Sequence, residues 1–246
     1  MNKLKVVIID SHRNMSKSRR EKLAEFFSDV KGMSIEDALQ QVEFCEWFEK
    51  ENAVKWFETM ALDGSLIVGY LRCMRNPKDV TQWFIGDVHV KKEYRGQGIA
   101  SRMYQKTIDT VQEFEAAECI IASVHPDNIR SVGLHKKMGF KNTGHICRFP
   151  NFWFDEKETE YRKILYRFLP VPAEDFSTEK LLPLWIKYTI PKGEKRDEDS
   201  ERKKLQKILE QAQNGECEFE SIWCGNRLVG FRFNIGDGEK QYGIKK

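Results

Sequence analysis

The 246-residue chain has almost no excess of charge: 41 lysines and arginines stand against 38 aspartates and glutamates, a net of +3. That balance lacks the basic footprint nucleic acid demands, so no nucleic-acid partner is expected. Cys45, Cys73, Cys119, Cys147, Cys217 and Cys224 form no CxxC pair and have no metal-ligand spacing. No metal is expected; the cysteines read as reduced, mostly buried thiols of a cytoplasmic protein. Long apolar runs are missing as well, and no stretch approaches bilayer-spanning length, so no membrane partner is expected. The start, MNKLKVVIIDSHRNM, has only four consecutive apolar residues before Asp10, which fits a first strand rather than a signal peptide. What remains is a soluble, intracellular, globular chain. Its 40% hydrophobic content suffices for one large core or two smaller ones.

Hydrophobic periodicity supplies the elements. After a strand over Leu4–Ile9, SKSRREKLAEFFSDV carries Leu23, Phe26, Phe27 and Val30 at helical spacing. SIEDALQQVEFCEWFEKE repeats that spacing with Ala38, Val42, Cys45 and Phe48, behind a capped start at Ser34 and Asp37. AVKWFETMAL and SLIVGYLRCMR read as strands joined by the turn signal Asp63-Gly64, and TQWFIGDVHV as a fourth strand. A helix follows Gly98 with Ile99, Met103, Val111 and Phe114 on one face, then a buried strand, ECIIASV. DNIRSVGLHKKM is a short helix closed by a left-handed cap at Gly139, and NTGHICRF and ETEYRKILYRFL are closing strands. The expected fold class is α/β: an α+β mixed sheet with helices on both faces.

Residues 93–104, EYRGQGIASRMY, set Gly96, Gly98 and Ala100 beside Arg95 where a strand gives way to a helix. Two readings are open. The glycines serve a tight turn for its own sake, or they clear a helix N-terminus whose first N–H groups can hold an anion. The wider motif favours the second. VHVKKEYRGQGIA resembles the acyl-CoA signature [RQ]-x-x-G-x-[GA] of the GNAT superfamily of N-acetyltransferases, with Arg95, Gly98 and Ala100 at its fixed positions. NIRSVGLHKKMGF is similar to the same superfamily's N-x-x-[AS]-x-x-L-[YH]-x-x-x-G-F, with Asn128, Ser131, Leu134, His135, Gly139 and Phe140 in register.

The resemblance implies a GNAT acyl-CoA N-acyltransferase fold over residues 1–165 and acetyl-CoA as acyl donor. By it, the N–H groups of Arg95, Gly96, Gln97, Gly98, Ile99, Ala100 and Ser101 converge on the pyrophosphate, with the helix dipole adding ~0.3–1 kcal/mol. The backbone of Val88–Val90 pairs with the pantetheine arm while the strand Glu118–Val124 splays away; an ordinary buried strand is the alternative. Asn128 and Ser131 join the cofactor-binding residues.

Acetyl transfer to an amine poses two proton problems. Freeing a lysine-like ammonium at pH 7 costs about 4.6 kcal/mol, and the leaving thiolate benefits from a donor. Many members of the superfamily carry a tyrosine where this chain has His135, commonly proposed as the thiolate-side acid, and histidine there occurs in branches acting on small molecules. His135 is therefore a candidate acid; packing against the cofactor is the alternative. A Glu or another polar group is frequent on the superfamily's fourth strand. This chain offers only Asp87 and His89, on one side of a regular strand; either is a candidate base, with Asp87 favoured, and water is the alternative. RFPNFWFDEKETE sets Phe149, Phe152, Trp153 and Phe154 beside Asp155, Glu156, Glu158 and Glu160. It reads either as a pocket for a cationic amine or as a packed loop with an acidic rim.

The tail repeats the beginning. SLIVGYLRC resembles NRLVGFRFN with Gly69 on Gly230, a shift of 161 that also sets Ser16 on Ser177, Leu23 on Leu184, Phe48 on Leu209 and Leu62 on Trp223. Residues 166–246 are expected to be an incomplete second GNAT-like domain without acyl-CoA motifs, aligned without a gap from strand one to strand three. KGEKRDEDSERKK is expected to be a solvated, mobile loop between its helices. With no fourth strand after Leu228–Phe233, the edge left open should drive this half-domain to pack on the catalytic domain or on another subunit. The functional expectation is transfer of acetyl to the amine of a small molecule by direct attack in a ternary complex. A non-catalytic acyl-CoA sensor is the alternative.

Overall fold

Residues 56–90 form a three-stranded meander because apolar side chains there recur on both faces, as they must in a sheet covered on both sides. Strand β1 (Lys5–Ile9) pairs antiparallel with β2 (Trp56–Asp63), which pairs with β3 (Leu66–Arg75), and that with β4 (Gln82–Val90). Helices α1 (Lys17–Lys31) and α2 (Ile35–Asn52) intervene after β1, and Asp37 N–H bonds the Ser34 hydroxyl at 3.0 Å at the start of α2. After β4 come α3 (Ile99–Gln112), β5 (Cys119–Val124), α4 (Ile129–Lys137), β6 (Lys141–Ile146) and β7 (Thr159–Ile164). This computed structural model describes residues 4–10, 15–52, 55–170, 177–189, 197–235 and 238–242, in two units, 1–165 and 166–246.

The first unit is a mixed, mostly antiparallel seven-stranded sheet in the order β1-β2-β3-β4-β5-β7-β6. One face carries α3, packing Ile99, Met103, Ile108 and Val111 onto Phe57, Val68, Leu71 and Trp83. Gly69 permits this: a Cβ there would stand 3.0 Å from the Met103 sulfur. The other face carries α1, whose Leu23, Phe26 and Phe27 meet Met60 and Tyr70, and α2, whose Cys45 and Phe48 group with Trp56, Met74 and Phe84.

Strand β4 has two features that shape the cavity beside it. Only Gln82–Ile85 pairs with β5, while β5 runs on against β7 as far as Val124. The two parallel strands therefore part beyond Ile85, the splay that the resemblance implied. β4 also carries an extra residue opposite β3 between the pairs Tyr70↔His89 and Arg72↔Gly86, with Asp87 at φ 50. The strand is thus not regular, and the bulge sends Val88 toward the α3 face while Asp87 turns to Arg72.

ETEYRKILYRFL, expected as one strand, is two. β7 ends at Ile164, and β8 (Arg167–Pro170) belongs to a second, four-stranded sheet ordered β11-β10-β9-β8. No Gly or Pro marks the switch at Leu165–Tyr166; the run Ile164-Leu165-Tyr166, which breaks the alternation, is the local trace it leaves. In the second unit β8 precedes α5 (Thr178–Thr189), α6 (Glu198–Gln213), β9 (Glu218–Cys224), β10 (Arg227–Ile235) and β11 (Gly238–Tyr242). Adding 161 to the β2–β3 pairs Met60↔Tyr70, Ala61↔Gly69 and Leu62↔Ile67 gives Ser221↔Phe231, Ile222↔Gly230 and Trp223↔Leu228. All three are paired in β9–β10, the bulge included. The shift slips by one residue at strand one, because Val6 faces Ala61 whereas Arg167 faces Trp223.

Two expectations for this unit are corrected. A fourth strand exists: β11 pairs with β10 from Phe231↔Tyr242 to Ile235↔Gly238, so the open-edge argument for packing loses its premise. Of the expected mobile loop, residues 192–196 lie outside the described residues. From Glu198 onward the charged run is helix α6, capped by the Asp197 carboxylate accepting from Asp199 N–H at 3.1 Å. Apart from Glu201, which is buried and accepts from the Trp185 indole at 2.7 Å, its charges are the solvated face of a helix whose Leu205 and Leu209 are buried.

Candidate active site

A cavity of about 880 Å³ lies beside the end of β4, lined from β4, the turn that follows it, α3 and α4. Backbone conformation explains the glycines beside it. Gly96 has φ +80 and Gly98 φ +73, the left-handed region where a Cβ is strained, and a Cβ at either would face open space. Gly98 caps α3 without any side-chain bond, and the first satisfied N–H is that of Arg102, to the Gly98 carbonyl at 3.1 Å. The N–H groups of Ile99, Ala100 and Ser101 belong to the turn that has no partner inside the helix.

Val88, His89 and Val90 line the cavity from β4, and Arg95, Gly96, Gly98, Ile99, Ala100 and Ser101 line it from the turn. Asn128 and Ser131 line it from α4, although the Asn128 carboxamide also caps its own helix, accepting from Ser131 N–H at 3.1 Å. Gln97 is not part of the lining; its side chain donates to the Glu93 carbonyl at 3.4 Å. Sequence reasoning missed Tyr94, Tyr104, Arg130 and Leu134, all of which line the cavity.

His135 does not fill the role of acid. It is 3% exposed and does not line the cavity. Its Nδ1 lies 2.8 Å from the Ser131 carbonyl, which can only accept, so Nδ1 carries the proton. In the neutral ring Nε2 is then an acceptor, and it takes the Tyr104 hydroxyl at 2.8 Å. Burial lowers the His135 pKa, against a smaller opposite effect of the Ser131 carbonyl; this favours the neutral ring, whose one proton is held by the Ser131 carbonyl. Tyr104 is the member of this pair that lines the cavity, and burial pushes its phenol pKa up.

Asp87 does not fit the role of base either. Arg72 Nη2 contacts its Oδ2, Lys31 Nζ stands 3.3 Å from Oδ1, and His89 Nε2 3.9 Å from the same oxygen. Burial alone would raise this carboxyl; Arg72 first, then His89 and Lys31, outweigh it and hold it well below the usual carboxylate range. A carboxylate so stabilised takes no proton near neutrality. Arg72 is itself fixed. Its Nη1 donates to the Cys45 sulfur at 3.2 Å, and its guanidinium lies 4.9 Å from the Trp56 ring centroid and 6.0 Å from that of Phe152.

Residues 148–158 are a packed loop, and Thr159 and Glu160 begin β7. Phe149, Phe152 and Phe154 stand 4.9, 5.7 and 5.6 Å from the Phe84 ring, centroid to centroid. Phe152 meets Phe48 at 5.8 Å, whereas Trp153 is fully exposed. Glu158 accepts from the Ser123 hydroxyl at 2.9 Å, and Glu160 pairs with Arg162 at 2.9 Å. Among the described residues, no group of three or more His, Cys, Asp or Glu is placed to hold a metal ion, and no helix is long and apolar enough to cross a membrane.

A bared stretch of β4 and a helix start capped by Gly98 frame this cavity, and comparison with known proteins identifies the domain that carries it. Residues 20–140 match the Acetyltransferase (GNAT) family, so the unit 1–165 carries a GNAT acetyltransferase domain. Similar proteins include N-alpha-acetyltransferase 30 of Schizosaccharomyces pombe, 28% identical over 114 residues, 45% of this chain and 71% of that one. Among solved structures, RimL, a ribosomal alpha-N-protein acetyltransferase, superposes with a TM-score of 0.51 at 15% identity, over 65% of this chain and 90% of that one. A GNAT-family acetyltransferase of Staphylococcus aureus gives 0.49 at 20% identity, over 65% and 99%.

Proposed function

We propose that this chain moves the acetyl group of acetyl-CoA onto the amine of a small molecule, by direct attack within a ternary complex. The observation that carries the reading is the cavity itself, which joins the Gly96–Ser101 turn to the bared edge of β4. The turn supplies N–H donors for the pyrophosphate, with Arg95 and Arg130 as flanking cations. The edge at Val88–Val90 supplies backbone groups for the pantetheine amides. No cysteine is part of the lining, which favours attack by the amine itself over an acyl-cysteine intermediate. The amine nitrogen bonds the acetyl carbon, the carbon–sulfur bond breaks, the amine proton passes to a base, and the thiolate leaves. Tyr104 serves as hydrogen-bond donor to the departing sulfur, turning its hydroxyl from His135. Its raised pKa keeps the proton on the phenol, so the thiolate takes its own from water. The free thiols fit a cytoplasmic setting.

A second reading of the acceptor is favoured by the fission-yeast relative, whose name specifies an α-amine. Incubation of the full chain with acetyl-CoA, small amines and short peptides, with free thiol as the readout, separates the two. Thiol release with small amines supports the first reading and release with peptides alone the second. Binding without release across the whole panel makes the chain an acyl-CoA sensor.

We further infer that residues 166–246 are an incomplete second copy of the β1–β4 half. The support is the β9–β10 pairing, which repeats the β2–β3 register and bulge at one constant shift.

A further inference from the structure

The bulge in β4 brings together charges that acetyl-CoA binding does not require. Asp87, at φ 50, turns its carboxylate onto Arg72, with Lys31 Nζ at 3.3 Å and His89 Nε2 at 3.9 Å. His89 is the one titratable member of this group that also lines the cavity. Arg72 is enclosed, packed on the Trp56 face and bonded to the Cys45 sulfur. It does not reach the cavity lining.

We infer that His89 is the base that takes the acceptor's proton, and that Asp87 and Arg72 are positioning residues that aim its ring. The inference rests on the proposed acetyl transfer. With Nε2–H turned toward the Asp87 carboxylate, Nδ1 of the neutral ring is the free acceptor. The amine nitrogen loses its proton to Nδ1, directly or through one water, as its lone pair forms the bond to the acetyl carbon. The imidazolium left behind lies beside a carboxylate that is already charged, and it returns its proton to solvent through the cavity. Arg72 and Lys31 oppose that charge and hold the carboxylate in place.

Other groups bear on the same ring. Tyr70 is its register partner on β3 and donates to Glu58 on β2. Cys45 faces Arg72 from α2. Arg95, Tyr94, Tyr104 and Arg130 share the cavity lining, with Tyr94 held by Asp63 at 3.0 Å. None of these approaches Asp87 as Arg72 and Lys31 do.

The charges give opposite signs to two substitutions, which a merely structural role would not. Asp87→Asn suits the left-handed conformation and removes the anion, so the acid limb of the kcat/KM profile should move to lower pH. Arg72→Gln or Lys31→Gln removes a cation, so the limb should move to higher pH. Each shift should be about half a unit or more, with the KM for acetyl-CoA within about twofold. His89→Gln should lower kcat about 10²-fold or more and abolish the limb. Lys31→Gln serves if Arg72→Gln fails to fold, because Lys31 reaches in from the surface helix α1. Wild-type protein with no thiol release refutes the acetyltransferase reading itself. Wild-type turnover with a limb that survives His89→Gln, or that stays put in both charge variants, overturns the assignment of His89 as base.

Discussion

Ala100 is the residue at which phosphate binding separates most cleanly from folding. It has helical geometry and lines the cavity, so Ala100→Glu adds a negative side chain at the α3 start without backbone strain. An acid in a first helical turn favours the helix by ~0.3–1 kcal/mol, whereas beside a pyrophosphate it repels. The variant should melt no lower than wild type, while acetyl-CoA affinity measured by calorimetry falls about tenfold or more; unchanged affinity would remove the turn from the phosphate site. Tyr104→Phe should lower kcat about tenfold, read in steady-state thiol release, if the hydroxyl meets the sulfur. His135 should matter to stability. Its folded pKa is depressed, so the unfolded chain binds the proton more readily, and stability falls as pH drops below ~6.5 toward the folded value. The melting temperature should therefore decline from pH 7.5 to 5.5, less steeply in His135→Gln.

Among the elements, the seat of α3 on the sheet depends on Gly69. A Cβ there would meet the Ala61 Cβ at 3.1 Å as well as the Met103 sulfur, and only the latter belongs to a flexible chain. Gly69→Val should cost about 1–3 kcal/mol in denaturant unfolding and weaken acetyl-CoA binding by displacing the turn at Gly98. The order of elements through β7 was legible because each apolar face has its own period, and the glycine turn because its spacing is local. The bulge at Asp87 was not legible. TQWFIGDVHV alternates well enough to pass for a regular strand, and an extra residue leaves no mark in such a run. Tyr104 was hidden because it shares a helix with Ile99, Met103 and Val111 and passes for core. Arg72 gave a faint signal, a lone charge in step with Tyr70 and Met74 on the face that α1 and α2 cover. The break between β7 and β8 left only the apolar run Ile164-Leu165-Tyr166, because pairing partners far along the chain decide it.

At the scale of the whole molecule, the cavity residues all lie in the unit 1–165, while in the second unit the β9–β10 pairing repeats the β2–β3 register and its residues contain no acyl-CoA motif. Acetyl-CoA at a hundredfold excess over Kd should stabilise the unit that binds it by about 2.7 kcal/mol. If the units melt separately, only one calorimetric transition should move. The most direct test of the proposed chemistry is transfer itself. The full chain is incubated with acetyl-CoA and the mixed amine and peptide panel, free thiol is monitored continuously, and each acceptor is analysed by mass spectrometry. Acceptor-dependent thiol release matched by acetylated amine is the predicted result. Tight binding of acetyl-CoA with no acceptor-dependent release and no acetylated product would contradict it.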